Sequence, residues 1–177
     1  MQLLLLRHAK SSWKEDAVSD HERPLNGRGR DAAVALGRYL LVEGLLPDLA
    51  LVSSARRTQE TWTLLVGTWP EPPPPSKILR GLYLATPAQI LSHVRRTPAA
   101  AERLLVLGHN PGMEGLARQL SGPGSDAGAL RRLQEKYPTG ALAAFDCAGS
   151  DWSVLEKGGA KLTRFITPRA LVGEGDD

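Results

Sequence analysis

Short, wholly apolar runs alternate along the chain with segments in which apolar residues recur every three or four positions. The runs Leu-Leu-Leu-Leu at 3–6 and Leu-Leu-Val-Leu at 104–107 are typical of strands buried on both faces of a sheet. Shorter or mixed apolar runs occur four more times. The pattern predicts strands at 3–6, 49–52, 76–79, 104–107, 141–145 and 161–166.

The intervening segments have the period of amphipathic helices. Met113, Leu116, Ala117 and Leu120, for example, fall on one helical face. The pattern predicts helices at 31–43, 55–66, 87–96, 111–120 and 126–136. Polar residues suited to N-capping precede four of them, and the predicted N-caps are Asn26, Ser54, Thr86 and Asn110.

Strands and helices that alternate in this order predict an α/β protein. We expect a three-layer α/β/α sandwich around a largely parallel central sheet, because a parallel sheet needs helices on both faces. The chain has 177 residues, of which 42% are hydrophobic, and this suits one globular domain. We therefore predict a single domain over residues 1–170 and a disordered tail over 171–177.

Composition excludes several classes of function. Cys147 is the only cysteine, so neither an intramolecular disulfide nor a cysteine metal cluster can form, which suits the reducing cytoplasm. The opening apolar run is too short for a signal peptide or a membrane span. The net charge is +3, but the basic residues are spread along the chain, which argues against a nucleic-acid-binding protein. We expect a cytoplasmic monomer.

Candidate chemistry stands at the ends of three predicted strands. In open parallel sheets, ligands bind outside the carboxyl ends of the strands. Arg7 and His8 directly follow the first strand, residues 53–56 follow the second, and His109 follows the strand at 104–107. Each of these ends supplies an arginine, a histidine or both, and we expect them to meet at one edge of the sheet.

Two arginines stand where a helix should favour negative charge. Arg56 and Arg57 open the helix predicted at 55–66, and a cation there costs about 0.3–1 kcal/mol at an exposed position. A phosphate between a guanidinium and the helix N-terminus would remove that conflict. The alternative is that both are solvated surface residues. We assign Arg56 to the pocket and Arg57 to the surface, because nothing further supports Arg57.

The two histidines have three possible roles. Each, considered alone, could be structural or could bind a metal, but arginines nearby and the lack of a carboxylate or thiolate in these segments disfavour a metal. An imidazole nucleophile surrounded by fixed positive charge suits phosphoryl transfer. For His8 to attack, one ring nitrogen must be unprotonated, so we expect the other to donate to a backbone carbonyl.

These residues form an ordered set of motifs that resembles the histidine phosphatase superfamily, which includes cofactor-dependent phosphoglycerate mutase. Within it the chain is most similar to the short SixA-type phosphohistidine phosphatases. The motifs are Arg-His-Ala-Lys-Ser at 7–11, Arg-Pro-Leu-Asn at 23–26, Ser-Ser-Ala-Arg-Arg-Thr at 53–58 and Gly-His-Asn-Pro-Gly at 108–112. Alanine at position 9 replaces the glycine usual in the superfamily.

The resemblance implies a phosphoglycerate mutase-like fold and a phosphatase that needs no metal or other cofactor. It further implies that His8 is phosphorylated during turnover while Arg7, Arg56 and His109 bind the transferred phosphoryl group. Ser11 matches a serine that contacts substrate phosphate in some members. A loop-capping role for Ser11 is an equal alternative.

Many members of the superfamily carry a general acid just before a Leu-Tyr pair, whereas residues 79–83 here contain no carboxylate. Loss of a general acid typically costs about 10²- to 10⁴-fold in rate for a poor leaving group. We therefore expect a phosphohistidine substrate, carried by a signalling protein, unless Glu15, Asp16, Asp20 or Asp126 reaches the site. The alternatives are a phosphatase for small phosphomonoesters and a silent phosphate-binding module.

Overall fold

The computed structural model describes residues 1–13 and 19–172 and contains one six-stranded sheet with helices on both faces. The strands are β1 Gln2–Arg7, β2 Leu49–Ser53, β3 Ser76–Leu79, β4 Arg103–Gly108, β5 Leu142–Cys147 and β6 Ala160–Ile166. The helices are α1 Gly27–Val42, α2 Arg56–Val66, α3 Pro87–Arg95, α4 Gly112–Leu120, α5 Ala127–Glu135 and α6 Pro168–Val172. Short 3₁₀ turns occur at Asp20–Glu22, Arg80–Leu82 and Trp152–Val154.

The strands lie in the order β3-β2-β4-β1-β5-β6. The first four are parallel, whereas β5 runs antiparallel to both β1 and β6. All six strands lie within two residues of their predicted bounds. The prediction of a three-layer α/β/α sandwich with a largely parallel sheet is confirmed.

Two hydrophobic clusters cover the two faces of the sheet. Along β1, Leu3 and Leu5 point into one cluster and Leu4 and Leu6 into the other, as the alternation of a strand requires. Helices α3, α4 and α5 pack on the first cluster, and α1 and α2 on the second. Within the described residues, no helix is both long and apolar enough to cross a membrane.

The beginning of α1 differs from the prediction. The helix starts at Gly27, four residues early, because Asn26 caps it by accepting a hydrogen bond from the backbone N–H of Gly29 at 2.8 Å. The first turn contains no apolar residue, so a prediction based on the spacing of apolar residues does not detect it. Gly29 lets this turn approach the chain after β1, since a Cβ there would lie 2.0 Å from the Lys10 carbonyl oxygen.

The predicted caps Asn26 and Thr86 are confirmed, whereas the other two are wrong. Helix α2 begins at Arg56 after an uncapped Ala55, because the Ser54 hydroxyl is instead hydrogen-bonded to His21 Nε2 at 2.9 Å. Helix α4 begins at Gly112 rather than at position 111, and Pro111 occupies the N-cap position that was predicted for the preceding asparagine.

The carboxyl-terminal boundary also moves. Helix α6 extends to Val172, beyond the predicted end of the domain at residue 170, and Leu171 packs against the cluster on the α1–α2 face. The remainder of the predicted tail, 173–177, lies outside the described residues.

Candidate functional site

Three neighbouring strands deliver the candidate site. Strands β2, β4 and β1 are adjacent and parallel, so their carboxyl ends lie at one edge of the sheet. His8 directly follows β1 and His109 directly follows β4. A cleft of about 250 Å³ opens there, which we call the histidine cleft. Its lining consists of Arg7, His8, Lys10, Ser11, Trp13, Arg23, Arg57, Leu84, His109, Asn110 and Thr139.

His8 is held as a neutral imidazole with one free nitrogen. Its Nδ1 lies 2.7 Å from the Ala9 carbonyl oxygen, which can only accept, so Nδ1 carries the proton and Nε2 has a lone pair. The Ala9 N–H donates to Thr61 Oγ1 at 3.1 Å, which ties this segment to α2. Burial and the positive charges of Arg57 and Arg7 lower the pKa of His8 to about 3, against the opposing effect of the Ala9 contact. The expected backbone contact is thus present.

His109 is neutral by a different arrangement. Arg57 Nη2 lies 3.2 Å from His109 Nδ1, and because a guanidinium can only donate, Nδ1 is the acceptor. The ring proton is therefore on Nε2, which donates to Ser53 Oγ at 2.7 Å. Burial, followed by the proximity of His8 and Arg57, lowers the pKa of His109 to about 3. The two imidazole centroids are 5.2 Å apart.

Two buried guanidinium nitrogens in the cleft lack a partner. The Nε atoms of Arg7 and Arg57 are inaccessible to water and donate to no atom of the described residues. Other nitrogens of both groups are held, since Arg7 Nη1 donates to the Tyr137 carbonyl at 2.7 Å and Arg57 Nη1 to the Asp20 carbonyl at 2.5 Å. A buried unpaired donor costs about 1–3 kcal/mol, and more when charged.

Arg56, which the sequence assigned to the pocket, lies outside the histidine cleft. Its Nε donates to Glu60 Oε1 at 2.7 Å, and its side chain, 49% exposed, faces a separate cleft of about 520 Å³. Arg57, assigned to the surface, has a side chain that is 3% exposed and lines the histidine cleft. The assignment of Arg56 is therefore corrected to Arg57. Successive residues of a helix point about 100° apart, so only one of the two can face the cleft.

The helical period of α2 carries the signal that distinguishes the two arginines. Arg57, Thr61 and Leu65 follow one another at intervals of four, and all three are buried. Arg56 and Glu60 have the same spacing on another face, where opposite charges four residues apart form an exposed pair. Extending the apolar face back to the first turn selects Arg57.

Ser11 and Arg23 form one wall of the cleft. Arg23 Nη2 donates to Ser11 Oγ at 2.8 Å, and both side chains are buried. The Cζ atom of Arg23 lies 3.2 Å above the centre of the Trp13 ring, which is 77% exposed at the rim. The structure therefore brings Ser11 into the cleft, as expected, and adds Arg23 as a third guanidinium.

None of the described lining residues of the histidine cleft is a carboxylate. Of the four acids considered as proton donors, Asp126 caps α5 by accepting from Ala129 N at 2.7 Å. Glu15 and Asp16 lie outside the described residues. Among the described residues, no three His, Cys, Asp or Glu side chains come together as a metal site would require.

Asp20 is the fourth acid, and it lies beside the cleft as an ionised carboxylate. Its oxygens accept from Tyr83 Oη at 2.6 Å, Arg23 Nη1 at 2.9 Å and Arg57 Nη2 at 3.1 Å. Partial burial opposes ionisation, but these three donors hold the pKa of Asp20 well below its usual range. A carboxyl group with so low a pKa has no proton to give at neutral pH.

The histidine cleft has the parts that phosphoryl transfer to an imidazole requires. His8 offers a free Nε2 lone pair, and Arg7, Arg23 and Arg57 supply fixed positive charge beside it. Such preorganised charge stabilises the negative oxygens of a transferring phosphoryl group.

Comparisons with known proteins identify the family of the chain. A model of the histidine phosphatase superfamily (branch 1) matches residues 3–83. The uncharacterized protein Rv1276c of Mycobacterium tuberculosis is 35% identical over 165 residues, which cover 93% of this chain and 100% of that protein. Matches to relatives of similar length thus extend over nearly the whole chain.

Solved structures give the same result. The structure of SixA from Nakamurella multipartitia, a proposed phosphohistidine phosphatase, is 30% identical with a TM-score of 0.81 and covers 94% of this chain and 95% of its own. SixA from Agrobacterium tumefaciens, at 24% identity, has a TM-score of 0.79 and covers 94% and 97%. The match to the Agrobacterium protein shows only a shared fold. The match to the Nakamurella protein, together with the family model, shows membership of the same family. The chain belongs to the histidine phosphatase superfamily and, within it, is of the SixA type.

Proposed function

We propose that the protein is a phosphatase that hydrolyses phosphohistidine on a partner protein through a phosphorylated His8. One observation carries the proposal: a buried, neutral imidazole with a free Nε2 faces a cleft that holds several cations and no carboxylate among its described lining residues. The cleft can stabilise a phosphoryl group but offers no evident acid to a poor leaving group.

In the first step, the Nε2 lone pair of His8 attacks phosphorus and the bond from phosphorus to the substrate's imidazole nitrogen breaks. The Nδ1–H bond to the Ala9 carbonyl orients the ring and stabilises the positive charge that it develops. Arg7 and Arg57, which both line the cleft, contribute positive charge and N–H donors to the phosphoryl oxygens.

In the second step, a water molecule attacks the phosphorus of phosphorylated His8. The bond from phosphorus to Nε2 breaks and the electron pair returns to the imidazole, which keeps its Nδ1 proton. The phosphoryl group leaves as dihydrogen phosphate, which carries the oxygen of water and both of its protons. His109 lies beside His8 with Arg57 donating to its Nδ1. Since its Nε2–H donates to Ser53 Oγ, the neutral His109 ring acts here by holding Arg57 beside the phosphoryl group.

The leaving group distinguishes the substrate classes. A phosphoimidazole that is protonated on its second nitrogen leaves as neutral imidazole, so no enzyme acid is needed. An alkoxide from a phosphate ester does need one, and the described lining residues supply no carboxyl group for it. Loss of a general acid costs about 10²- to 10⁴-fold in rate. Asp20 does not fill that role, because the three donors around it hold the carboxylate ionised.

Two exposed apolar side chains at the rim suit a protein partner. Trp13 is 77% exposed and Leu84 is 53% exposed, and both line the histidine cleft. Leu84 also has a φ of 49°, an uncommon conformation for a residue other than glycine. A folded substrate can contact such a rim, whereas a small metabolite inside the cleft gains little from it.

Turnover of a phosphohistidine-bearing protein is compared with turnover of sugar and nucleotide phosphates and of phosphoramidate, the smallest P–N substrate. We expect a preference for P–N substrates. Leu84→Ala should slow the protein substrate several-fold and leave phosphoramidate within about twofold, because a peripheral apolar contact contributes about 1–2 kcal/mol. A strong preference for one phosphate ester would refute the proposal.

A further inference from the structure

One carboxylate connects most of the donors around the histidine cleft. Asp20 accepts hydrogen bonds from Tyr83, Arg23 and Arg57 through its two carboxylate oxygens, at 2.6, 2.9 and 3.1 Å. Its backbone carbonyl accepts a fourth, from Arg57 Nη1. Four donated bonds from three side chains at one residue of a short 3₁₀ turn fix that turn against α2 and the segment that precedes α3.

Each of the donors also touches a residue that lines the cleft. Arg57 uses the same Nη2 atom for Asp20 and for His109 Nδ1, which is 3.2 Å away. Arg23 uses its other Nη nitrogen to donate to Ser11 Oγ at 2.8 Å. The Tyr83 ring packs edge-on against the His109 ring, with centroids 5.5 Å apart. Asp20 is thus the common partner of three groups that bound the site.

Asp20 itself does not line the histidine cleft, and its side chain is 43% exposed. Any influence of Asp20 on the positions of the groups in the cleft must therefore pass through its donors. A guanidinium has rotational freedom that must be removed if its N–H groups are to be aimed at a phosphoryl oxygen, and a carboxylate on its far side removes that freedom.

We propose that Asp20 is a positioning residue that aims Arg57 and Arg23 at the transferred phosphoryl group. This inference rests on the proposed function. The carboxylate carries two opposed effects: it orders the guanidiniums, and its negative charge weakens the attraction of the cleft for an anion. Asp20→Asn would remove the charge and replace one acceptor oxygen with an NH₂ group, which cannot accept a hydrogen bond from a guanidinium.

The opposed effects make the proposal testable with Asp20→Asn. We expect kcat with phosphoramidate to fall about tenfold or more, since misplaced donors stabilise the transition state poorly. We expect the affinity for inorganic phosphate, measured by calorimetry, to rise about three- to tenfold, because one negative charge has left the neighbourhood of the site. Asp20→Glu keeps the charge and should return phosphate affinity to within about twofold of wild type.

Glu22→Gln is the matched control. Glu22 lies in the same 3₁₀ turn, is exposed, and contacts His21 Nδ1 at 2.6 Å rather than the cleft arginines. This variant should keep both kcat and phosphate affinity within about twofold of wild type. An unchanged kcat in Asp20→Asn would overturn the proposal. So would a joint loss of kcat and phosphate affinity, which indicates a purely structural role.

The two proposals fail in different ways. If wild-type protein turns over phosphate esters but no P–N substrate, the proposed function is wrong, and kcat of the three variants on such an ester still decides the role of Asp20. If wild type is active and Asp20→Asn is equally active, the proposed function stands and the positioning role is refuted.

Discussion

Replacing Arg57 and Arg56 in turn separates two neighbouring residues of identical chemistry. Arg57→Ala removes a guanidinium whose side chain is 3% exposed, whose Nη2 donates to His109 Nδ1 and whose Nε is buried without a partner among the described residues. Removing one preorganised donor of this kind costs about 10²- to 10³-fold, or roughly 2.7–4 kcal/mol of transition-state stabilisation. Arg56→Ala removes an exposed pair with Glu60 worth about 0.3–0.5 kcal/mol of stability.

The assay is kcat/KM on phosphoramidate for both variants, with the midpoint of thermal unfolding measured in parallel. Arg57→Ala should lose at least about 100-fold in kcat/KM, and Arg56→Ala should stay within about twofold of wild type. Arg57→Lys should recover only part of the loss, since an ammonium cannot reproduce the planar set of donors. Equal losses in the two alanine variants, or a larger loss at position 56, would refute the assignment of Arg57 to the site.

Two further predictions concern stability. His8 and His109 have pKa values near 3 in the folded protein and about 6.5 when unfolded, so between these pH values the unfolded chain binds more protons. The free energy of unfolding should therefore fall as pH drops below about 6.5, by up to about 1.4 kcal/mol per pH unit for each histidine; a flat profile in denaturant titrations from pH 7 to 5 would contradict this. Gly29→Ala should cost about 1–3 kcal/mol because its Cβ would meet the Lys10 carbonyl, whereas Gly27→Ala, with open space around it, should be neutral or stabilising by calorimetry.

The strands and their ends could be predicted because buried strands have a local signature. A run of apolar residues fixes where a parallel strand lies, and the rule that ligands bind at the carboxyl ends then selects Arg7, His8 and His109 without knowledge of any contact. The order β2-β4-β1 that makes these ends adjacent is not written in any one segment. It follows from packing of the whole sheet.

The error at Arg56 has a rotational cause. A strand-end rule locates a residue along the chain but not around a helix axis, and one position corresponds to about 100°. The apolar residues Trp62 and Leu65 show which side of α2 is buried. Arg57 lies on that side, so the helical period would have favoured it over Arg56.

Asp20 could be suspected from the sequence only as a nearby acid. Its partners Tyr83 and Arg57 lie 63 and 37 residues away along the chain. A local pattern cannot encode such contacts, and without them the same carboxyl group could equally be a proton donor. The three donors convert a candidate general acid into an ionised acceptor.

Phosphorylation of His8 is the central claim, and rapid quenching measures it directly. Wild-type protein mixed with ³²P-labelled phosphoramidate should acquire label that is stable in alkali and lost in acid, located by peptide mapping to His8, and formed and consumed at rates consistent with kcat. His8→Asn should acquire none while remaining folded. Label on another residue, or full turnover by His8→Asn, would contradict the account.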